Sequence, residues 1–178
     1  MALRKASSYS KFKARPYTRK SSKKSKSYIK TIPPQKVVKL HMGDTKGYDK
    51  GKFPIIIRLI CLDNIQMRDN AIEAARQSIH KELEAGFLGQ YYFAVKVYPH
   101  HILRENKMLT GAGADRMQTG MTQSFGATIG RAAFVKPNQT IFLIAVNSEK
   151  AVKLTRTAIE KIKAKLPCRT RTIIEKAK

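Results

Sequence analysis

Tryptophan is absent from the 178 residues, and cysteine occurs only at Cys61 and Cys168. The two form no C-x-x-C pair, and neither stands at metal-ligand spacing from His41, His80, His100 or His101. No metal site is therefore read, and two reduced cysteines, at least one of them buried, are expected. No apolar run approaches the length of a membrane span, and the N-terminus lacks the apolar core of a secretory signal. A membrane is not an expected partner, and a reducing cytoplasm fits.

Acidic side chains are scarce. Twelve Asp and Glu face 36 Lys and Arg, leaving a formal net charge of +24. Residues 1 to 43 hold 13 Lys or Arg and no acid at all, because the first carboxylate is Asp44. Self-repulsion at this charge disfavours an isolated compact state, and a polyanion would relieve it. Nucleic acid is the expected partner. An organelle transit peptide would also be free of acid, but here Lys dominates, Pro16 interrupts and no amphipathic period shows.

Nucleotide-site and catalytic patterns are missing too. The run Gly111-Ala112-Gly113-Ala114-Asp115-Arg116 has Arg116 where a dinucleotide fingerprint needs its third glycine. No G-K-S/T follows as a P-loop requires, and no Ser-His-Asp or Cys-His constellation can be read from spacing. Adjacent His100 and His101 on an extended segment point to opposite sides, so they cannot easily chelate one ion together. A structural or RNA-contacting role suits them better. Asp115 and Glu105 are read as braces for Arg104 and Arg116 rather than as a catalytic carboxylate pair.

What is present starts with an arm. Residues 1 to 34 mix Lys, Arg and Ser with aromatic side chains, and Pro33-Pro34 marks the hinge into a globular part over 35 to 178. Cations at Arg4, Lys5, Lys11, Lys13, Arg15, Arg19, Lys20, Lys23, Lys24 and Lys26 suit phosphates. Tyr9, Phe12 and Tyr17 between them can stack on bases. The arm is thus expected to be an extended RNA-binding segment that orders on its partner.

The globular part, in a chain that is 42% hydrophobic, can bury a core. Alternation predicts a strand over Gln35 to Asp44, with Val38, Leu40 and Met42 on one face. Phe53 to Leu62 predicts a central strand, and Tyr91 to Tyr98 a third, closed by Pro99. Ile72, Ala75, Ile79 and Leu83 fall at helical spacing, with Asn70 and Glu73 placed as a reciprocal cap and Gly86 and Gly89 at the end. Thr128 to Val135 and Thr140 to Val146 read as a hairpin turning at Pro137-Asn138. A second helix follows from Ser148, with Ala151, Thr155, Ala158, Ile162 and Leu166 inward; Pro167 stops it before a last strand at Arg169 to Glu175. The fold class expected is α+β: a mixed-sheet α/β sandwich with two helices on one face of the sheet.

Between the third strand and the hairpin lies a polar, Gly-rich finger, about 99 to 127. Its cations, Arg104, Lys107 and Arg116, suit phosphate contact, while Gly111 and Gly113 let a backbone bend or approach closely. A loop this long in a compact domain is usually functional or disordered.

The run PHHILRENKMLTGAGADRMQTGM, with SFG and GRAAFV after it, resembles the large-ribosomal-subunit protein family called L-sixteen in bacteria and L-ten-e in archaea and eukaryotes. The opening ALRKAS and RPYTRKS, the stretch QMRDNAIEAAR and the closing LPCRTRTIIEK resemble the same family, so the likeness covers nearly the whole chain. The short length looks more like the archaeal branch. The resemblance implies an α/β-hammerhead-like fold bound to large-subunit ribosomal RNA among neighbouring ribosomal proteins, in the cytoplasm. It further implies a place near the aminoacyl-tRNA site, with the finger reaching toward the peptidyl transferase centre and tRNA. By position, that finger comprises His100, His101, Arg104, Glu105, Asn106, Lys107, Met108, Gly111, Gly113, Asp115 and Arg116. No catalysis, cofactor, metal or small-molecule substrate is implied. Two other readings compete: an RNA-modifying or RNA-cleaving enzyme using His100 or His101 with Asp115, and a free RNA-binding regulator.

Overall fold

A computed structural model of the chain describes residues 4–12, 15–18, 20, 23, 29, 31–106 and 126–176. Eight strands and three α-helices are built from them, and the strands sort into two antiparallel sheets. The first sheet has five strands: β1 (His41–Gly43), β2 (Ile55–Cys61), β4 (Tyr91–Val95), β7 (Thr140–Val146) and β8 (Thr170–Lys176), in the order β1-β4-β7-β2-β8. The second has three: β3 (Ile65–Arg68), β5 (His101–Glu105) and β6 (Ala127–Val135), with β6 in the middle.

Two long helices, α2 (Asp69–Gly86) and α3 (Glu149–Ile162), pack together against the larger sheet. The pleat explains which residues they cover. Tyr91, Phe93 and Val95 alternate with Tyr92 and Ala94, and only the first three join the core with Ile79, Leu83, Ile159 and Ile162. On the opposite face Tyr92 and Ala94 pack with Phe53, Leu143 and Ala145 in a smaller cluster. Gly43 is required where β1 crosses β4, since its φ is +81° and a Cβ there would lie 2.1 Å from the Tyr91 carbonyl oxygen.

The predicted helix stripes are seen: Ile72, Ala75, Ile79 and Leu83 are buried in α2, as are Ala151, Thr155, Ala158 and Ile162 in α3. Ser148 caps α3, its side chain accepting from the Ala151 N–H at 3.2 Å. The cap expected for α2 is not seen. Helix α2 begins two residues earlier, at Asp69 after Arg68 in the cap position, and Asp69 Oδ1 accepts the Asn70 N–H at 2.9 Å. Glu73 is instead bound to Arg76, whose buried guanidinium requires a carboxylate partner.

Three further expectations are corrected. Only His41–Gly43 of the predicted 35-to-44 strand is a strand; Val38 is 74% exposed while Val37 is 5% exposed, so the apolar alternation is broken before β1. There Lys36 and Val38 are bound to α2, and the Leu40 carbonyl accepts the Val95 N–H of β4 at 2.8 Å. Strands β6 and β7 form no hairpin but belong to different sheets. Asn138, in the left-handed region at φ 63°, donates its N–H to the Cys61 carbonyl at 2.7 Å, and the turn hands the chain from one sheet to the other. Finally, the five-residue helix α1 (Thr45–Asp49), strand β3 and strand β5 stand where no element was expected. Helix α1 is started by Asp44, which accepts the Gly47 N–H at 2.8 Å.

Candidate nucleic-acid interface

The smaller sheet has two faces with different tasks. Met67, Ala133 and Val135 turn into the core beneath it. On the other face, Gln66, Phe134 and His101 meet the arm. The arm crosses this face from the β3 edge to the β5 edge. At β3, Lys11 forms an antiparallel bridge with Ile65, and the Gln66 N–H donates to the Ser10 carbonyl at 3.0 Å. The Gln66 side-chain amide donates to the Tyr9 carbonyl, which leaves Gln66 only 2% exposed. Over the middle strand, Phe12 packs on Phe134 with ring centroids 4.9 Å apart, and His101 packs on the same ring at 4.9 Å.

At the β5 edge, backbone pairing resumes. The Ile102 N–H donates to the Tyr17 carbonyl at 3.0 Å, and the Tyr17 N–H donates to Nδ1 of His101 at 2.7 Å. That acceptor role commits one nitrogen of a buried ring to holding the arm. Arg104 lies with its guanidinium carbon 3.6 Å from the Tyr17 ring centroid, a close cation–π stack.

The arm's exit toward the core is held by side chains on β6 and α2. Thr128 Oγ1 donates to the Thr31 carbonyl at 2.9 Å, and Arg131 Nε to the Pro33 carbonyl at 2.8 Å. Asp69 Oδ2 then accepts the Lys36 N–H at 3.3 Å, and Glu73 Oε2 the Val38 N–H at 3.4 Å. Burial pushes the Asp69 carboxyl above its ordinary range, whereas the Arg76 guanidinium holds Glu73 below its own.

The arm's first residues reach the root of the finger. Strands β5 and β6, which flank the finger in sequence, pair antiparallel up to Glu105 opposite Ala127. Arg4 Nη2 donates to both Glu105 oxygens, at 2.8 and 3.0 Å, and its other terminal nitrogen bonds the Tyr9 hydroxyl. This pairing raises the Arg4 value and lowers that of Glu105. Arg68 Nη2 donates to the carbonyls of Arg4 and Lys5, at 2.8 and 2.7 Å.

The residues singled out in the sequence therefore separate. Arg4, Lys5, Tyr9, Lys11, Phe12, Tyr17, His101, Arg104 and Glu105 gather along the smaller sheet, and Asn106 closes the described finger root. Lys5, Lys11, Arg15, Lys20 and Lys23 are exposed. His100, just before β5, is exposed, and His101 at its start is buried. Lys13, Arg19, Lys24, Lys26, Lys107, Met108, Gly111, Gly113, Asp115 and Arg116 lie outside the described residues.

Of the bracing expected within the finger, Asp115 and Arg116 lie outside the described residues. Glu105 pairs with Arg4 of the arm, and Arg104 stacks on Tyr17. Phe12 and Tyr17, expected to meet bases, are engaged with Phe134 and Arg104. Gln66, Arg68, Arg131 and Phe134 are not among the residues expected from the sequence: Gln66 and Arg68 precede the expected helix, and Arg131 and Phe134 fall in a segment expected only as a strand. Among the described residues, no three His, Cys, Asp or Glu side chains gather as a metal site, and no helix is long and apolar enough to cross a membrane.

Such a surface is suited to binding rather than to bond-making. Its titratable groups are paired with the backbone or with one another, while its outward charges are cations on the rim. Comparison with known proteins agrees. Residues 13–173 match the family model described as ribosomal protein L16p/L10e. The chain is similar to the large ribosomal subunit protein uL16 of Thermofilum pendens, 40% identical over 179 residues that cover 99% of each chain. To the protein of the same name in Methanococcus maripaludis it is 41% identical over 180 residues, covering 100% of this chain and 97% of that one. To that of Hyperthermus butylicus it is 41% identical over 161 residues, 90% and 83% respectively.

Proposed function

The chain belongs to the ribosomal protein L16p/L10e family, a structural, non-enzymatic constituent of the large ribosomal subunit, and from that premise we propose what its surfaces do there. The arm and the smaller sheet form the ribosomal RNA interface. Lys5, Lys11, Arg15, Lys20 and Lys23 replace counterions on phosphates, and the release of those ions drives binding. The finger extends from the β5–β6 pair toward the aminoacyl-tRNA site and the peptidyl transferase centre. It lends shape and positive charge beside the tRNA acceptor end and supports accommodation. The subunit works in the cytoplasm, and peptide-bond formation remains the work of RNA.

One observation carries this reading. The arm is seated on the sheet from which the finger springs, with its exposed cations directed outward and its aromatic side chains directed inward. One sheet thus carries the arm's cations and both strands that flank the finger. Sucrose-gradient sedimentation of lysates tests it, using the intact chain and a chain shortened across 106–115. Both should travel with large subunits through moderate salt, and the shortened chain should support less translation. A chain found only in light fractions would place it with free RNA-binding regulators instead.

A further inference from the structure

We propose that the cleft between the arm's first turn and the end of α3 is a subsite for one unstacked nucleotide of single-stranded RNA. The inference rests on the RNA-binding reading above and adds to it a place and a chemistry. The cleft, about 560 Å³, is lined by Lys5 and Ser7 of the arm and by Ala164, Leu166, Pro167, Cys168 and Arg169.

Its lining varies in the way a nucleotide varies along its length. Ala164, Pro167 and the buried Leu166 give the lining an apolar part against which a base plane can lie. Two cations also line it. Lys5 of the arm is exposed, and Arg169 has a side chain 81% exposed. Arg169 is fixed in place, because Asp63 Oδ1 accepts from its Nη2 at 2.7 Å and from its Nε at 3.1 Å. Asp63 Oδ2 also accepts the Arg169 backbone N–H at 2.8 Å.

The position of Asp63 decides the orientation of the ligand. Arg169 holds this carboxyl below its ordinary range, so it is an anion within the cleft wall. Arg169 is neutralised by Asp63, so a phosphate is excluded from the interior and confined to the rim where Lys5 stands, while an uncharged base enters. A base-paired duplex cannot supply such a base without unstacking it, which selects single strands. A free inorganic anion gains nothing from the apolar part of the lining.

The test uses the full chain and fluorescence anisotropy with a labelled 12-nucleotide single strand and a 12-base-pair RNA duplex. Ser7 and Ala164 are both exposed, so S7L/A164L fills the cleft without altering charge or core. The double variant should weaken single-strand binding about fivefold or more, the usual scale for losing one stacked base, and leave duplex binding within about twofold. Unchanged single-strand affinity overturns the subsite, and so does an equal loss for both RNAs. Photocrosslinks from the single strand should fall on the peptide that holds Pro167 and Cys168, and crosslinks confined to other peptides overturn it as well. If the unaltered chain binds neither RNA, the RNA-binding reading itself fails; if it binds both and the variant changes nothing, only this inference fails.

Discussion

Arg4 and Glu105, 101 residues apart in sequence, meet through a forked pair of hydrogen bonds at 2.8 and 3.0 Å. The pair joins the start of the arm to the root of the finger. It also commits the finger root's carboxylate to a cation that would otherwise be open to phosphate.

Replacing Glu105 with Gln should release the arm's first residues while leaving the fold intact. Limited trypsin digestion should cut after Arg4 and Lys5 faster, and the melting temperature should barely move because both partners are exposed. The pH dependence has a definite sign. Glu105 is held below its ordinary 4.5, so the link is fully present above that value and is lost as pH falls through the lowered one. Protease sensitivity of the intact chain should rise in the same acid range, and that of the Gln variant should not.

His101→Phe keeps a ring against Phe134 but removes the acceptor for the Tyr17 N–H. A half-buried donor left unmatched costs about 1 kcal/mol. A urea titration should show a lower midpoint with an unchanged slope, and protection of the Tyr17 amide from hydrogen exchange should fall more than that of β7 amides.

Glu73→Ala strands Arg76, whose side chain is 8% exposed and which otherwise bonds Glu73 at 2.6 and 2.8 Å. Breaking one partner of a buried pair costs about 3 kcal/mol, enough to lower a thermal midpoint by several degrees. The double change Glu73→Leu with Arg76→Met should recover part of that loss, because no buried charge is then left alone.

Removing residues 1 to 30 takes away 11 cations. RNA binding should weaken, and the dependence of log affinity on log salt should flatten by about 0.7 for each phosphate that is no longer neutralised. An unchanged slope would mean that the arm's charges do not meet the RNA backbone.

The larger sheet and the two long helices are legible in the sequence because their signals are local. Ile72, Ala75, Ile79 and Leu83 declare a helix by spacing, and Ser148 declares where the next one starts. The smaller sheet is not legible, for physical reasons. Its edge strands are only four and five residues long, and His101, Ile102 and Leu103 are all buried, so no alternation marks β5. Both faces are covered there, one by the core and the other by the arm. The arm's charge can be read directly, but its seat cannot, since Gln66, Arg68 and Phe134 acquire meaning only once β3 and β6 lie side by side. Glu105 reads as a brace, yet its partner lies at the far end of the sequence.

The most direct test of the central claim is crosslinking of purified large subunits, with and without tRNA in the aminoacyl site, read by mass spectrometry and RNA sequencing. Arm peptides containing Lys5, Lys11 and Arg15 should crosslink to ribosomal RNA in both states, and finger peptides beyond Asn106 should crosslink to tRNA only when it is bound. Arm peptides joined to protein alone, or finger peptides that never meet tRNA, would contradict the account.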